Sequence, residues 1–481
     1  MEELVCGIDV GTSAVRVLIS TLDGSVIANS SCPLKPVYAR DKYRQQDVEN
    51  WWEATLFALK GALVHTNPSS IRSLSVDATS GTIVLVDSAL RPIGPGIMYN
   101  DARAEGYGDI INATAVDFIA RHGYSFKDDF SLSKILWLAR NDSNFGKAKK
   151  VLHQSDFINA KLTGEIPPTD WSNALKSGCD LINGGWPSFI FEKLGIPKEK
   201  LPDNVVAPGT IIGKISRAAA NETGLSQETM VVAGASDGTA ALFASGAHKP
   251  GDFSTSLGST ITIKGITEKI LFDPRGTVYC HKHPAGFWLP GGASNVGCAA
   301  INKEFAPEPA TRRQILACLD SAALKFFPCD TVLYPLADAT SERFPFKKTS
   351  IRAFVAGTTA CREELYAAML QSIAFVERWC YEELNALGAN VKQVYSVGGG
   401  SKSTVWRSIR ADILRLPLII PENVETALGA AMIAAAPIVG DFQKACAEMT
   451  RIREVISPGN DSRYEQLYRK FRNEVHQRWN V

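Results

Sequence analysis

Residues 231–260, VVAGASDGTAALFASGAHKPGDFSTSLGST, restrict the architecture of this chain more than any other stretch. A short apolar run and a Gly-Ala-Ser turn deliver one carboxylate, Asp237, where a helix of small residues over 238–246 should begin. A carboxylate at a strand-to-helix junction either accepts a proton from a bound hydroxyl or caps the orphan amides of its own helix. The loop that follows, Ser254-Thr-Ser-Leu-Gly258-Ser259-Thr260, offers successive amides and hydroxyls that can close around a phosphate, or turn as a plain hairpin.

At 481 residues the chain exceeds what one hydrophobic core usually serves, so two domains with a cleft are expected. A formal net charge of +1 gives no basic excess for nucleic acid, so none is expected as a partner. Ten scattered cysteines without a C-x-x-C pair fit reduced thiols in a cytosol-like compartment. The first strand starts at Leu4, which leaves no room for a targeting peptide, and no run approaches the ~18 apolar residues of a membrane span. A cytoplasmic protein without a membrane partner, monomeric or homodimeric, is the expectation.

A buried strand over 4–10 ends in the turn Asp9-Val-Gly11-Thr12-Ser13, followed by a strand over 15–20 and a hairpin at Asp23-Gly24. Gly11, Thr12 and Ser13 offer amides and hydroxyls to a phosphate, while Asp9 at the strand end can face a hydrated Mg²⁺, which needs only one or two such carboxylates. The alternative is an aspartate capping its own loop. Helical spacing over 48–63 favours packing over a sugar platform for Trp51 and Trp52. Strands over 71–76 and 82–86 flank Asp77-Ala-Thr79-Ser80-Gly81, and Tyr99-Asn100-Asp101-Ala-Arg103 follows a Pro/Gly loop. These polar groups could floor a substrate pocket, or Asp101 and Arg103 could form a structural ion pair.

The region 127–164 reads as mostly helical, and Asp170-Trp-Ser-Asn173-Ala-Leu-Lys176 supplies polar residues that could reach a substrate, or form a loop with a solvated lysine. Beyond Thr260 the opening pattern restarts: strands over 259–266, 277–281 and 287–289, then Gly291-Gly-Ala-Ser-Asn295 turning into a helix. His281 and His283 have a spacing that metals use, but no carboxylate or cysteine accompanies them at ligand spacing. A long amphipathic helix over 364–387 precedes a strand over 392–397 that runs into Gly398-Gly399-Gly400-Ser401-Lys402-Ser403 and a helix over 405–416. Glycines there let a ligand approach the backbone at a helix N-terminus, although the run is neither the dinucleotide fingerprint nor a P-loop. Helices over 425–436 and 463–479 complete the chain.

The ordered set GIDVGTS (7–13), SVDATSGT (75–82), SDFINAKLTG (155–164), GASDGTA (234–240), SLGST (256–260), SERFP (341–345), VGGGSKSTVWRSIRADILRLPL (397–418) and ETALGAA (425–431) resembles the FGGY carbohydrate kinases over nearly the whole chain. The resemblance implies an α/β protein of two ribonuclease H-like domains, the hexokinase, actin and heat-shock chaperone superfamily, around an ATP cleft. Residues 1–246 would be the sugar-binding N-terminal domain with the first phosphate loop and the catalytic base. Residues 247–481 would be the nucleotide-binding C-terminal domain, its last helices able to pack back on the first. Asp237 would be the base and Asp9 the Mg²⁺-associated carboxylate. Gly11, Thr12 and Ser13, with Gly258, Ser259 and Thr260, would be the phosphate loops for ATP, and Gly399, Gly400, Ser401, Lys402 and Ser403 the adenosine loop.

Asp9, Ser80 and Asp237 would touch the sugar, with Asp77 and Asn100 lining its pocket. Xylulose kinases carry a Gln-Met-His-Gly-like segment where this chain has Asp77-Ala-Thr-Ser-Gly81, so the likeness is to the ribulose kinases of the cyanobacterial and plant sugar-kinase group. The family's W-x-D-x-R segment reads Tyr99-Asn-Asp101-Ala-Arg103 here. The expectation is an ATP-dependent kinase of a five-carbon ketose, most like D-ribulose, with D-xylulose as the alternative substrate. A non-catalytic ATP-responsive binding protein on the same fold is the alternative of another class, since fold does not fix function.

Overall fold

Every residue of the strand Leu4–Val10 is buried, as a near-continuous apolar run should be when both of its faces are covered. Helix Thr426–Val439 packs along it and along Ile71–Ala78. Gly7 makes that approach possible, because a Cβ at this position would stand 1.8 Å from the Ala427 carbonyl oxygen. Gly429 does the same on the helix's other contact, 1.9 Å from the Ala240 carbonyl oxygen. The all-small sequence TALGAAMIAAAPIV is thus a low-profile helix laid between elements.

The computed structural model describes residues 3–459 and 461–481, and the chain divides into two compact units. The first comprises Met1–His248, His281–Phe287 and Asn423–Thr450; the second comprises Lys249–Cys280, Trp288–Glu422 and Arg451–Val481. In the first unit a six-stranded sheet runs in the order Ile211–Lys214, Met230–Val232, Ile71–Ala78, Leu4–Val10, Ala14–Thr21, Val26–Pro33. The two pairings of Ile71–Ala78 are parallel and the others antiparallel. Helix Val48–Leu63 buries Trp51 and Trp52 against this unit's core, and Trp51 Nε1 donates to Gln46 Oε1 at 2.9 Å. A second sheet of five strands includes Ile83–Val86 and Lys150–His153. His283 lies wholly buried among the rings of Phe243, Phe287 and Phe442.

The sheet of the second unit repeats the plan. Asp252–Leu257, Ile261–Gly265 and Trp288–Ala293 are antiparallel neighbours, and Gln393–Val397 then Leu418–Pro421 extend the sheet in parallel from Asp252–Leu257. Ile452–Ile456 closes that side antiparallel, as Ile211–Lys214 does in the first unit. Its core is built on helix Arg362–Ala386, with Thr404–Leu414 and Arg463–Trp479 packed on it. The restart that the sequence pattern placed after Thr260 begins earlier, at Asp252: residues 254–257, read as part of a loop, belong to the strand on which this second sheet is built, and only 258–260 turn.

Candidate active site

Strand register assembles the acidic centre of the first unit. Asp9 stands opposite Arg16 on the antiparallel neighbour and opposite Asp77 on the parallel one. Arg16 Nη1 donates to Asp9 Oδ2 at 3.0 Å from a half-exposed side chain. Asp77 is 0% exposed and neither of its oxygens has a fixed hydrogen-bond partner. Burial pushes the Asp77 carboxyl well above its ordinary range, and the charges of Asp9 and Asp237 add to the push. Asp9 is also raised by burial, with Arg16 pulling the other way. A proton held on Asp77 can be donated to the Asp9 carboxylate, whereas two ionised groups at this spot would repel.

Asp237 joins these two through the end of the next strand. Ser236 bridges Ala78 in parallel, which carries Asp237 alongside the Asp77 strand end. Asp237 is the first residue of helix Asp237–Ala244, and the cap position belongs to Ser236. The cap position thus falls to Ser236 and not to Asp237: Asp237 Oδ1 accepts from Gly238 N at 2.6 Å, and the charge of this half-buried carboxylate acts on both Asp9 and Asp77.

Ser80 follows on the loop after Asp77. Its hydroxyl oxygen is buried without a hydrogen-bond partner, while its carbonyl accepts from Lys176 Nζ at 2.9 Å. Lys176, for which the sequence left a solvated position open, is half-buried, with Nζ 5.7 Å from the centre of the Phe130 ring. Burial lowers its pKa, against the pull of Asp129 and Asp237. Lys134 is 0% exposed, and its three donors go to the carbonyls of Gly81, Met98 and Tyr99 at 2.8, 2.8 and 3.2 Å. Burial pushes this ammonium down to about 7. It clamps the Ser80 loop to the segment that carries Asn100, which is exposed. Asp101 and Arg103 form the ion pair, at 2.8 and 3.0 Å and almost wholly buried, so they hold that wall and leave the pocket to others.

The turn Gly11–Ser13 closes with Gly11 N donating to Ala14 O at 3.1 Å, and Gln46 Nε2 fixes the Thr12 carbonyl at 2.8 Å. A Cβ on Gly11 would lie 3.5 Å from Arg16 Nη1 and 3.9 Å from Asp9 Oδ1, so this turn adjoins the acidic centre.

The remaining sequence-derived residues gather in the second unit. Gly258, Ser259 and Thr260 form a tight turn, and the amides of Cys298 and Ala299 donate to the Gly258 and Ser259 carbonyls at 2.9 and 3.1 Å. Gly399, Gly400, Ser401 and Lys402 form a 3₁₀ turn, and Ser403 caps helix Thr404–Leu414 through Trp406 N at 3.1 Å. The preceding Gly398 has φ 86°, and a Cβ there would reach 2.7 Å from the Leu257 carbonyl oxygen, so only glycine lets this loop lie against the Gly258 turn. Arg407 bonds the Ser401 carbonyl through Nε and Glu454 through Nη1, the latter at 2.9 Å. The structure thus gathers Asp9, Asp77, Ser80, Asp237 and the first turn in one unit, and the Gly258 and Gly399 loops in the other.

Sequence reasoning missed Lys134, and it raised Lys176 only as one of a set of polar residues that could reach a substrate, with a solvated lysine as the alternative. Nothing in a single lysine within an apolar helix or a polar loop signals burial; three carbonyls converging on one ammonium is visible only in the fold.

The model of the FGGY family of carbohydrate kinases, N-terminal domain, matches residues 4–244, and that of the C-terminal domain matches residues 275–437. The chain is 27% identical to the xylulose kinase of Bacillus subtilis (strain 168), over 98% of this chain and 96% of that protein. It is 26% identical to the gluconokinase of the same organism, over 90% and 87%. Among solved structures, the xylulose kinase from Rhodospirillum rubrum superposes with a TM-score of 0.86 at 26% identity, covering 99% of each chain. Relatives named for a ketose and for a sugar acid stand at nearly equal distance, so identity alone does not single out a substrate. The two family models together cover most of the sequence, and the conclusion is direct: the chain is a member of the FGGY family of carbohydrate kinases, phosphotransferases that act on sugar hydroxyls.

Proposed function

We propose that this chain is an ATP-dependent ketopentose kinase that converts D-ribulose to D-ribulose 5-phosphate. The observation that carries the choice of sugar is Ser80, a buried hydroxyl without a partner, next to the acidic centre, where xylulose kinases have an imidazole. A buried hydroxyl that finds no partner within the protein is suited to pair with a bound polar group.

Asp237 accepts the proton of the terminal hydroxyl as that oxygen attacks the γ-phosphorus of ATP; the bond to the bridging oxygen breaks and ADP leaves. Positioning and charge stabilisation carry most of such a reaction. The amides of Gly11, Thr12 and Ser13, and those of Gly258, Ser259 and Thr260, are the phosphate donors in this reading. The adenosine end belongs with Gly399, Gly400, Ser401, Lys402 and Ser403. Mg²⁺ would be held by Asp9 together with phosphate oxygens and water, and would neutralise phosphate charge; an ion of this kind needs no larger carboxylate cage. Asn100 lines the sugar side, and Asp77, wholly buried, acts on it through Asp9. In the furanose form of a 2-ketopentose O5 is part of the ring, so the acceptor is the open chain. Lys176, with one donor on the Ser80 carbonyl, has others to offer its oxygens.

The test is a panel of pentuloses, pentoses, gluconate and glycerol, read by coupled ADP release. D-Ribulose should exceed D-xylulose at least about tenfold in kcat/KM, because an unpaired buried group costs about 1–3 kcal/mol with the wrong epimer. Ser80→Ala should narrow that ratio. Equal or reversed constants make the protein a xylulose kinase instead, the reading favoured by the names of several relatives. Asp237→Asn should lower turnover on the order of 10²- to 10⁴-fold with nucleotide affinity kept; near-normal turnover overturns its role as base.

A further inference from the structure

Segment 169–178 touches both halves of the proposed sugar chemistry without being placed to react itself. At one end, Ser172 Oγ accepts the backbone N–H of Ser236 at 2.7 Å, and Ser236 is the residue before Asp237. The same hydroxyl donates to Asp170 Oδ1 at 2.6 Å. Asp170 also accepts from Ser172 N at 2.9 Å and Asn173 N at 3.0 Å, and through its other oxygen from Asn173 Nδ2 at 2.7 Å. Asp170, Ser172 and Asn173 are all buried, so each of these bonds forms away from competing water.

At the other end, Lys176 Nζ holds the Ser80 carbonyl at 2.9 Å. The next residue, Ser177, bonds through Oγ to His153 Nε2 at 2.9 Å, and His153 Nδ1 faces Asp156 Oδ2 at 2.9 Å. This has the connectivity of a hydrolytic Ser-His-Asp triad. All three residues are buried, however, so no substrate can reach the Ser177 hydroxyl and the set acts as an anchor.

We infer that segment 169–178 is a brace that fixes the distance between the proton acceptor Asp237 and the sugar-facing Ser80 loop, with Ser172 the positioning residue at the Asp237 end. It rests on the reading of Asp237 as the base. A hydroxyl that both accepts from Ser236 and donates to Asp170 sets the backbone from which the Asp237 side chain springs. Loss of that hydroxyl leaves a buried N–H without its acceptor and frees the turn to shift. Displacements of an ångström at a reacting group lower rates on the order of 10²-fold.

Ser172→Ala should therefore lower kcat about 10- to 100-fold while KM for ATP stays within about twofold, and Ser172→Thr, which keeps the hydroxyl, should recover most of the loss. Should the alanine variant not fold, Ser172→Cys, nearly isosteric with a weak acceptor, takes its place, and the cysteine and threonine variants are compared at matched melting temperatures. Equal losses in the alanine (or cysteine) and threonine variants mean a general packing defect and overturn the inference. So does turnover within twofold of the parent in the alanine or cysteine variant. Asp237→Ala, assayed alongside, separates the two readings. If it is inactive while Ser172→Ala is fully active, the brace alone falls; if it keeps turnover, the base assignment falls and the brace with it.

Discussion

His283 is buried to 0% exposure and its Nδ1 accepts from Ala285 N at 3.0 Å, which fixes the neutral ring with its proton on Nε2. Burial, with a smaller contribution from His248, lowers its pKa from 6.5 to about 3. The unfolded chain therefore binds a proton below pH 6.5 that the native state refuses until about pH 3, so stability falls as pH falls through that window. Between pH 6.5 and 5 this amounts to about 2 kcal/mol at about 1.4 kcal/mol per pH unit. His283→Asn, which offers an acceptor and does not titrate, should flatten the dependence: the loss of unfolding free energy between pH 7 and 5, from urea titrations, should shrink by about 2 kcal/mol relative to the parent. An unchanged loss would sink the assignment. The same scale shows what single residues do not disclose. Asp9, Asp77, Ser80 and Asp237 were legible as candidates because strand ends and turns announce themselves. The depth of Lys134, Lys176, Ser172 and His283 was not, since burial of a lone polar side chain is set by elements far away in sequence.

Two helices were legible to the residue: Val48–Leu63 from its apolar spacing and Arg463–Trp479 from its charged run. Lys150–His153, inside a region read as mostly helical, is a strand, because so short a segment, Lys-Val-Leu-His, takes its conformation from the neighbouring strand it pairs with, Ile83–Val86. Residues 291–293, read as a turn into a helix, end the strand Trp288–Ala293, and the helix waits until Cys298. Gly291 is tolerated in that strand by its pairing with Lys264, a contact invisible to local propensity. Between elements, the sharpest requirement is at Gly7. Gly7→Ala would drive a methyl into the Ala427 carbonyl, and the rigid helix cannot yield without losing its seat on Leu4–Val10. The variant should lose about 1–3 kcal/mol or more in guanidinium unfolding. A loss under about 0.5 kcal/mol would mean that helix and strand are less tightly seated than 1.8 Å implies.

At the scale of the molecule, the first unit is finished by residues that arrive late. Its stretch Met1–His248 lacks the helix Thr426–Val439 that seats on its central strands. A fragment of residues 1–248 expressed alone should show no cooperative unfolding transition, and appending residues 423–450 through a flexible linker should restore one. A soluble 1–248 fragment with a sharp transition would overturn that dependence. The duplicated sheet plan was visible in the sequence as a restart; that late helices could return to the first domain came only from the family resemblance, and which ones return, 423–450 and not 463–479, was hidden because small apolar residues fit either core equally well. This ordering also has a temporal side. A ribosome adds about 5–20 residues per second, so roughly 200 residues, or about 10–40 s, separate the emergence of position 248 from that of position 450. For that interval the bare seat around Gly7 is an apolar groove shaped for an alanine-rich helix, and whatever keeps the nascent chain from clumping must shield that one strip until its own lid is made.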